Sequence, residues 1–198
     1  QLREAHAAFS RGGADLACLQ APLLIDNLRA GMLARYFALE YAALFDGLLP
    51  ALAALHMPLP LGGTSNHFRR DALEKAGGWD PYNVTEDADL GIRLARLGYR
   101  CDTITRPTWE EAPVAPRAWL AQRTRWFKGW IQTFLVHTRQ PVALARQLGP
   151  RGTVGFLLAG IGMLVSAIIH PIYVINVVLT ALDPLSLWSD GSALSAAV

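Results

Sequence analysis

The chain is poor in cysteine, in runs of like charge and in patterned histidine. Cys18 and Cys101 are its only two cysteines, and they lie far outside the short spacings of zinc sites or redox pairs. They read as buried free thiols on a reducing, cytoplasmic side. Charged residues make up 17% of the sequence, and its arginines alternate with acids without forming a long basic run. This argues against a strongly basic nucleic-acid binder and leaves the formal net charge of +2 a poor guide to partners. His6, His56, His67, His137 and His170 show no metal-ligand spacing and read as structural. The chain opens Gln-Leu-Arg, with neither an initiator methionine nor a signal-peptide pattern, and so reads as a fragment of a longer protein.

One further absence locates a segment. Residues 152–182 carry no charge, whereas residues 1–151 hold nearly all of the acids and bases. A spanning helix needs about 20 apolar residues, so residues 153–182 suffice for one. His170-Pro171 inside it predicts a kink, or else a helical hairpin. Arg139, Arg146 and Arg151 precede it, and the positive-inside rule therefore puts the preceding region in the cytoplasm.

What is present before that segment alternates between strand and helix signals. Residues 15–22 (DLACLQAP) are short and apolar, as in a buried strand of an α/β sheet. Residues 27–48 have helical spacing and are apolar nearly all round, fitting a buried or an interfacial helix; Pro50 is expected to interrupt it before a further turn to Leu55. Residues 70–76 predict a short helix stopped by Gly77-Gly78, followed by a turn at Asp80-Pro81. Residues 86–97 predict an amphipathic helix with Leu90, Leu94 and Leu97 on one face, stopped at Gly98. Residues 100–106 alternate like a strand. Residues 118–137 mix Trp119, Trp126, Trp130 and two phenylalanines with Arg123, Arg125 and Lys128, which suits a membrane-water boundary. Residues 189–198 read as weakly ordered.

Two strings carry candidate chemistry. Thr85-Glu86-Asp87 has a plain structural explanation, since threonine caps helices well and acids favour the positive end of the helix dipole. Its functional reading makes Asp87 a general base, its pKa raised by the like charges of Glu86 and Asp89. Asp87-Ala88-Asp89 also has the form of a metal-binding pair, but residues two apart on a helix diverge. Gln122-Arg123-Thr124-Arg125-Trp126 can be explained as a membrane-surface helix. Functionally, Arg125 forks onto phosphate oxygens and Trp126, taken as exposed, offers an apolar ring face to a sugar. The paired glycines of Leu61-Gly62-Gly63-Thr64 allow either a tight turn or close approach to a ligand.

The order GGTSNHF, GGWDP, TED with ADLGIRL, EEAP, QRTRW and then an apolar segment resembles the family 2 glycosyltransferases of the cellulose synthase, hyaluronan synthase and poly-N-acetylglucosamine synthase type. That resemblance covers about residues 15–182. It implies an α/β fold, the C-terminal portion of a GT-A (Rossmann-like) domain followed by interfacial and transmembrane helices. Residues 1–139 would be the partial catalytic domain and residues 140–198 the membrane-associated segment. It implies inverting transfer from a UDP- or GDP-sugar to the hydroxyl of a β-linked glycan at the cytoplasmic face of the inner membrane, with membrane lipid as a further partner. Asp87 would be the base; Gln122, Arg125 and Trp126 would form the floor where donor diphosphate and acceptor meet, beside Glu86, Gly63 and Thr64. Mg²⁺ or Mn²⁺ would be held mainly by residues upstream of this chain, so the fragment is expected to be inactive alone. A non-catalytic scaffold module of a polysaccharide exporter, and a transferase adding one sugar to a lipid or protein, are the other readings.

Overall fold

A computed structural model of the chain describes residues 1–182. It divides into two units, residues 1–157 and residues 158–198. The first is built around strand β1 (Leu16–Gln20), every residue of which is buried. β1 pairs in parallel with β4 (Arg100–Thr103), setting Cys18 opposite Cys101, and antiparallel with β3 (Asn66–Phe68). The sheet order is β3-β1-β4, and a separate parallel pair joins β2 (Leu23–Ile25) to β5 (Thr108–Glu110). Apolar from Leu16 to Leu19 and closed by the buried Gln20, β1 has the composition that a strand covered on both faces requires. Helix α1 (Leu2–Arg11) covers one side, burying Ala5 with Leu16, Leu19 and Ile104.

The other side is covered by a helical stretch comprising α2 (Met32–Ala42), a π-helical turn (Ala43–Leu48) and α3 (Leu49–Ala54). Phe37, Tyr41, Phe45, Leu49 and Leu52 face the core with Ala17, Cys18 and Cys101. Pro50 does not interrupt this stretch as expected. It sits in the first turn of α3, where its missing N–H costs least, and the wider π turn ahead of it absorbs the change of register. By length and composition Met32–Ala54 could cross a membrane. Its inner face, however, is the core of the sheet, while Met32 and Leu39 stay exposed on the outer face.

Helix α4 (Arg70–Lys75) ends at Gly77 and Gly78, whose φ of 79° and 66° only glycine adopts readily. Asp80 Oδ1 accepts from the Tyr82 N–H at 2.9 Å, making the turn read at Asp80-Pro81. Helix α5 (Glu86–Arg96) buries Leu90, Ile92 and Leu94. Leu97, expected on that face, lies past the end of the helix and is exposed. Helix α6 (Pro116–Thr138) carries the QRTRW string, and α7 (Pro141–Leu182) follows, with one non-helical residue at Gly149. Leu144, Phe156 and Ile92 form a small buried cluster with Phe134.

In the second unit, residues 158–182 are helical and run through His170-Pro171 without a non-helical residue, so the hairpin is not formed. Leu158, Ile161, Ile169 and Leu179 along it are exposed. The weakly ordered tail expected at residues 189–198 lies outside the described residues.

Candidate active site

The site begins where β1 ends. Gln20 is buried, and its amide Nε2 donates to the Ala21 carbonyl at 2.8 Å and the Thr64 carbonyl at 3.0 Å. Its Oε1 accepts from the Gly62 N–H at 2.7 Å, and Asn66 Nδ2 donates to the Gly62 carbonyl. One side chain thus supplies what the Gly62-Gly63-Thr64 backbone lacks in sheet partners. Gln20→Leu would leave the Gly62 N–H and two carbonyls unmatched, at about 1–3 kcal/mol for each such group that stays buried. The expected outcome is a lower melting temperature together with faster proteolysis at residues 62–65.

The loop so held passes beside α5. A Cβ placed on Gly63 would stand 3.2 Å from Asp87 Oδ2, its only neighbour within 4 Å among the described residues. Gly63 and Thr64 are themselves exposed, so the loop presents bare backbone to solvent next to the carboxylate. Asp87 is half-buried, and its Oδ1 accepts from the Ala88 N–H at 2.8 Å. Burial is the main reason its pKa is raised to about 6; the Ala88 hydrogen bond opposes this and Glu86 adds to it. The expected contribution of Asp89 is absent. That carboxylate turns away to Arg93 Nε (2.7 Å) and His137 Nε2 (2.9 Å), and these hydrogen bonds outweigh its burial and hold its pKa low. Asp87 and Asp89 therefore serve different neighbours.

Thr85 also departs from expectation. It occupies the N-cap position of α5 without a side-chain cap, and its buried hydroxyl instead donates to Asn83 Oδ1 at 3.3 Å. Asn83 Nδ2 in turn donates to Thr133 Oγ1 of α6 at 2.8 Å. Gly129 makes this approach possible, because a Cβ there would fall 2.6 Å from both Thr85 Cγ2 and Oγ1.

Along α6, Gln122 is half-buried, with its Oε1 shielded from solvent and without a hydrogen-bond partner. Arg125 is exposed and makes no hydrogen bond or ion pair among the described residues. Trp126 is half-buried rather than exposed. Its ring lies 6.0 Å from Phe37, and the Arg123 guanidinium stands 5.0 Å from the ring centre. Arg123 also lies over Phe37 and Trp119 and pairs with Glu40 of α2. Gly63 is thus brought to Asp87, whereas no hydrogen bond among the described residues links Asp87 to Gln122, Arg125 or Trp126. Gln20, Asn83, Arg123 and His137, whose side chains make the hydrogen bonds and ion pairs that link these elements, were not singled out by the sequence. A glutamine closing an apolar strand was the one visible cue.

Among the described residues no group of three or more His, Cys, Asp or Glu side chains could hold a metal ion. These residues do not by themselves make a Mg²⁺ or Mn²⁺ site.

Residues 1–183 match the family model described as glycosyl transferase family group 2, and the chain belongs to that family. Family membership makes this α/β arrangement part of a GT-A glycosyltransferase domain. A probable glycosyltransferase, YdaM, of Bacillus subtilis (strain 168) is 43% identical over 68 residues, which are 34% of this chain and 16% of that protein. The beta-monoglucosyldiacylglycerol synthase of Synechocystis is 33% identical over 93 residues, 44% of this chain and 19% of that one. The probable glucomannan 4-beta-mannosyltransferase 10 of Arabidopsis thaliana is 33% identical over 75 residues, 37% of this chain and 14% of that one. The chain spans less than a quarter of the length of each of these curated relatives. Among solved structures, a mannosyltransferase from Pyrobaculum calidifontis in complex with GDP-mannose and Mn²⁺ is 18% identical, with a TM-score of 0.49 over 92% of this chain and 52% of that one.

Proposed function

We propose that the full-length protein is an inverting glycosyltransferase acting at the cytoplasmic face of the inner membrane, with Asp87 as its catalytic base. The observation that carries this is the half-buried Asp87 carboxylate, its pKa raised to about 6, beside the open backbone of Gly63. A base is most useful when its pKa lies near the working pH and its proton-accepting oxygen faces an accessible surface. Asp87 Oδ2 takes the proton of the acceptor hydroxyl while the hydroxyl oxygen bonds to the anomeric carbon of a nucleotide-activated sugar. The bond from that carbon to the nucleotide diphosphate breaks, and the diphosphate leaves with the electron pair.

Arg125, exposed and unpaired among the described residues, suits the departing diphosphate. Gln122, with its unpartnered Oε1, and Trp126 form the floor for the acceptor sugar. Gly63 and Thr64 form the facing wall, and Glu86 keeps negative charge beside the base. A divalent cation would neutralise the diphosphate when bound, but no step here is assigned to one.

Two acceptors fit the family. One is a growing β-linked glycan. The other is diacylglycerol, on the ground that a relative 33% identical over 93 residues of this chain is named a beta-monoglucosyldiacylglycerol synthase. The test is radiolabel incorporation by membranes expressing the full-length protein, supplied separately with UDP-glucose, UDP-N-acetylglucosamine and GDP-mannose. A labelled polymer supports the first acceptor and a single labelled lipid the second. No product from any donor removes the proposal and favours the non-catalytic module.

A further inference from the structure

Helix α5 is joined to α6 by more than apolar packing. His137, near the end of α6, is 2% exposed, and its Nε2 lies 2.9 Å from Asp89 Oδ1. Its other nitrogen, Nδ1, lies 2.9 Å from Arg96 Nη1. A guanidinium can only donate, so Nδ1 accepts and the ring proton sits on Nε2, directed at Asp89. The chain of contacts continues at both ends. Arg93 bridges Asp89 to the Ala76 carbonyl, and Arg96 Nε donates to Gln147 Oε1 of α7 at 2.7 Å. Phe156 closes the site edge-on to the imidazole at 5.9 Å.

Burying a carboxylate and an imidazole together costs desolvation that an apolar pair would not incur, so such a network is weak evidence for stability and better evidence for a specified arrangement. Its location suggests what is specified. Asp89 lies two residues beyond Asp87 on the same helix. The second polar bridge, from Thr85 through Asn83 to Thr133, starts two residues before Asp87. Asp87 is therefore flanked by two ties, and both lead to α6, the helix that carries Gln122, Arg125 and Trp126. An apolar contact permits a helix to slide or rotate; two directional bridges on either side of one residue do not.

We infer that His137, through Asp89, is a positioning residue that sets the register of α6 against the Asp87 end of α5. The inference rests on the proposed roles of Asp87 and the α6 motif. Its consequence is that His137 affects the reaction without touching substrate.

The test uses full-length protein in membranes or detergent with the donor that gives product, comparing His137→Gln with His137→Leu. Glutamine can still donate to Asp89 and accept from Arg96, while leucine leaves both unmatched. Three readouts are taken: hydrogen exchange of the α6 peptides, kcat and KM for the donor, and the pH at which activity rises. The expected result for His137→Leu is faster exchange confined to α6 and its contacts, a fall in kcat/KM of about tenfold or more, and an unchanged pH limb. His137→Gln should stay within about threefold of the parent. Unchanged exchange in a folded His137→Leu protein overturns the inference, and so does faster exchange with unchanged kinetics, which would leave only a structural tie. If His137→Leu does not fold, kinetics for His137→Gln no better than for His137→Ala overturn it as well. Failure of the underlying functional reading shows separately, as full turnover by Asp87→Asn, while hydrogen exchange still reports whether the tie exists.

Discussion

Asp87→Asn is expected to lower turnover of the full-length protein by roughly 10²–10⁴-fold, the usual contribution of a positioned base. Asparagine keeps the size of the side chain and an oxygen for the Ala88 N–H, so the loss isolates proton removal from packing. Activity of the parent should rise as pH passes through about 6, where Asp87 ionises, and level off above it. The residual activity of the variant should lack that limb.

The same substitution should stabilise the fold. The carboxyl pKa is raised from 3.8 to about 6, so the native state binds the proton more tightly than the unfolded chain does. Ionisation therefore works against folding as pH climbs through that interval, and the full penalty stands above about pH 6. A shift of this size corresponds to roughly 2–3 kcal/mol. Thermal melting of parent and variant should show the variant more stable at pH 7, with the difference shrinking as pH falls from about 6 and gone by about pH 3, where Asp87 is protonated in both states. Parent-level turnover by the variant would take Asp87 out of the reaction. A difference in melting that is independent of pH would contradict the burial of its charge.

Gly91→Ala should produce the largest structural loss. A Cβ at Gly91 would fall 2.0 Å from the Leu59 carbonyl oxygen and 3.0 Å from Leu61 Cγ. The first obstacle is backbone, so no change of rotamer relieves it, and α5 must move outward. Alanine favours a helix over glycine by about 1 kcal/mol, but forcing a methyl group into a filled contact costs typically 1–3 kcal/mol and more when backbone must shift. Because α5 buries Leu90, Ile92 and Leu94 and carries Asp87 in its first turn, the displacement should reduce both melting temperature and activity. Gly47→Ala is the control: nothing stands within 4 Å of that position among the described residues, and its melting temperature should hold or rise slightly. Equal behaviour of the two variants would show that the close approach of α5 to Leu59 is not maintained.

Much of the arrangement was legible in the residues because the signals were local. The apolar β1, the glycine stops after α4 and α5, the Asp80 turn and the long aromatic α6 each follow from a few neighbouring side chains. Pro50 misled because a proline is read against an ideal helix, whereas a π turn ahead of it changes the register. Leu97 misled because the hydrophobic period continues one residue past the point where the backbone leaves the helix. Thr85 has the residue type of a cap, yet buried Asn83 competes for its hydroxyl, and only the packing of Gly129 puts that pair out of water.

The sequence by itself determined the family, the buried strand β1 and the helices α4, α5 and α6, and it singled out the carboxylate at the start of α5 as a candidate, since these depend on residue type and spacing along the chain; α1 and the short strands β3 and β5 emerge only in the folded chain. Only the tertiary structure decided which neighbours each side chain answers to. Burial by the fold, with a smaller contribution from Glu86 and none from Asp89, raises the Asp87 pKa; Gln20, distant in sequence, shapes the glycine loop; and His137 ties α6 to α5. The reason is physical: the Asp89–Arg93 pair is local, four residues apart on one helix, but desolvation and the longer-range pairing that gives Asp89 to His137 and leaves Asp87 beside an open backbone depend on distances across the fold.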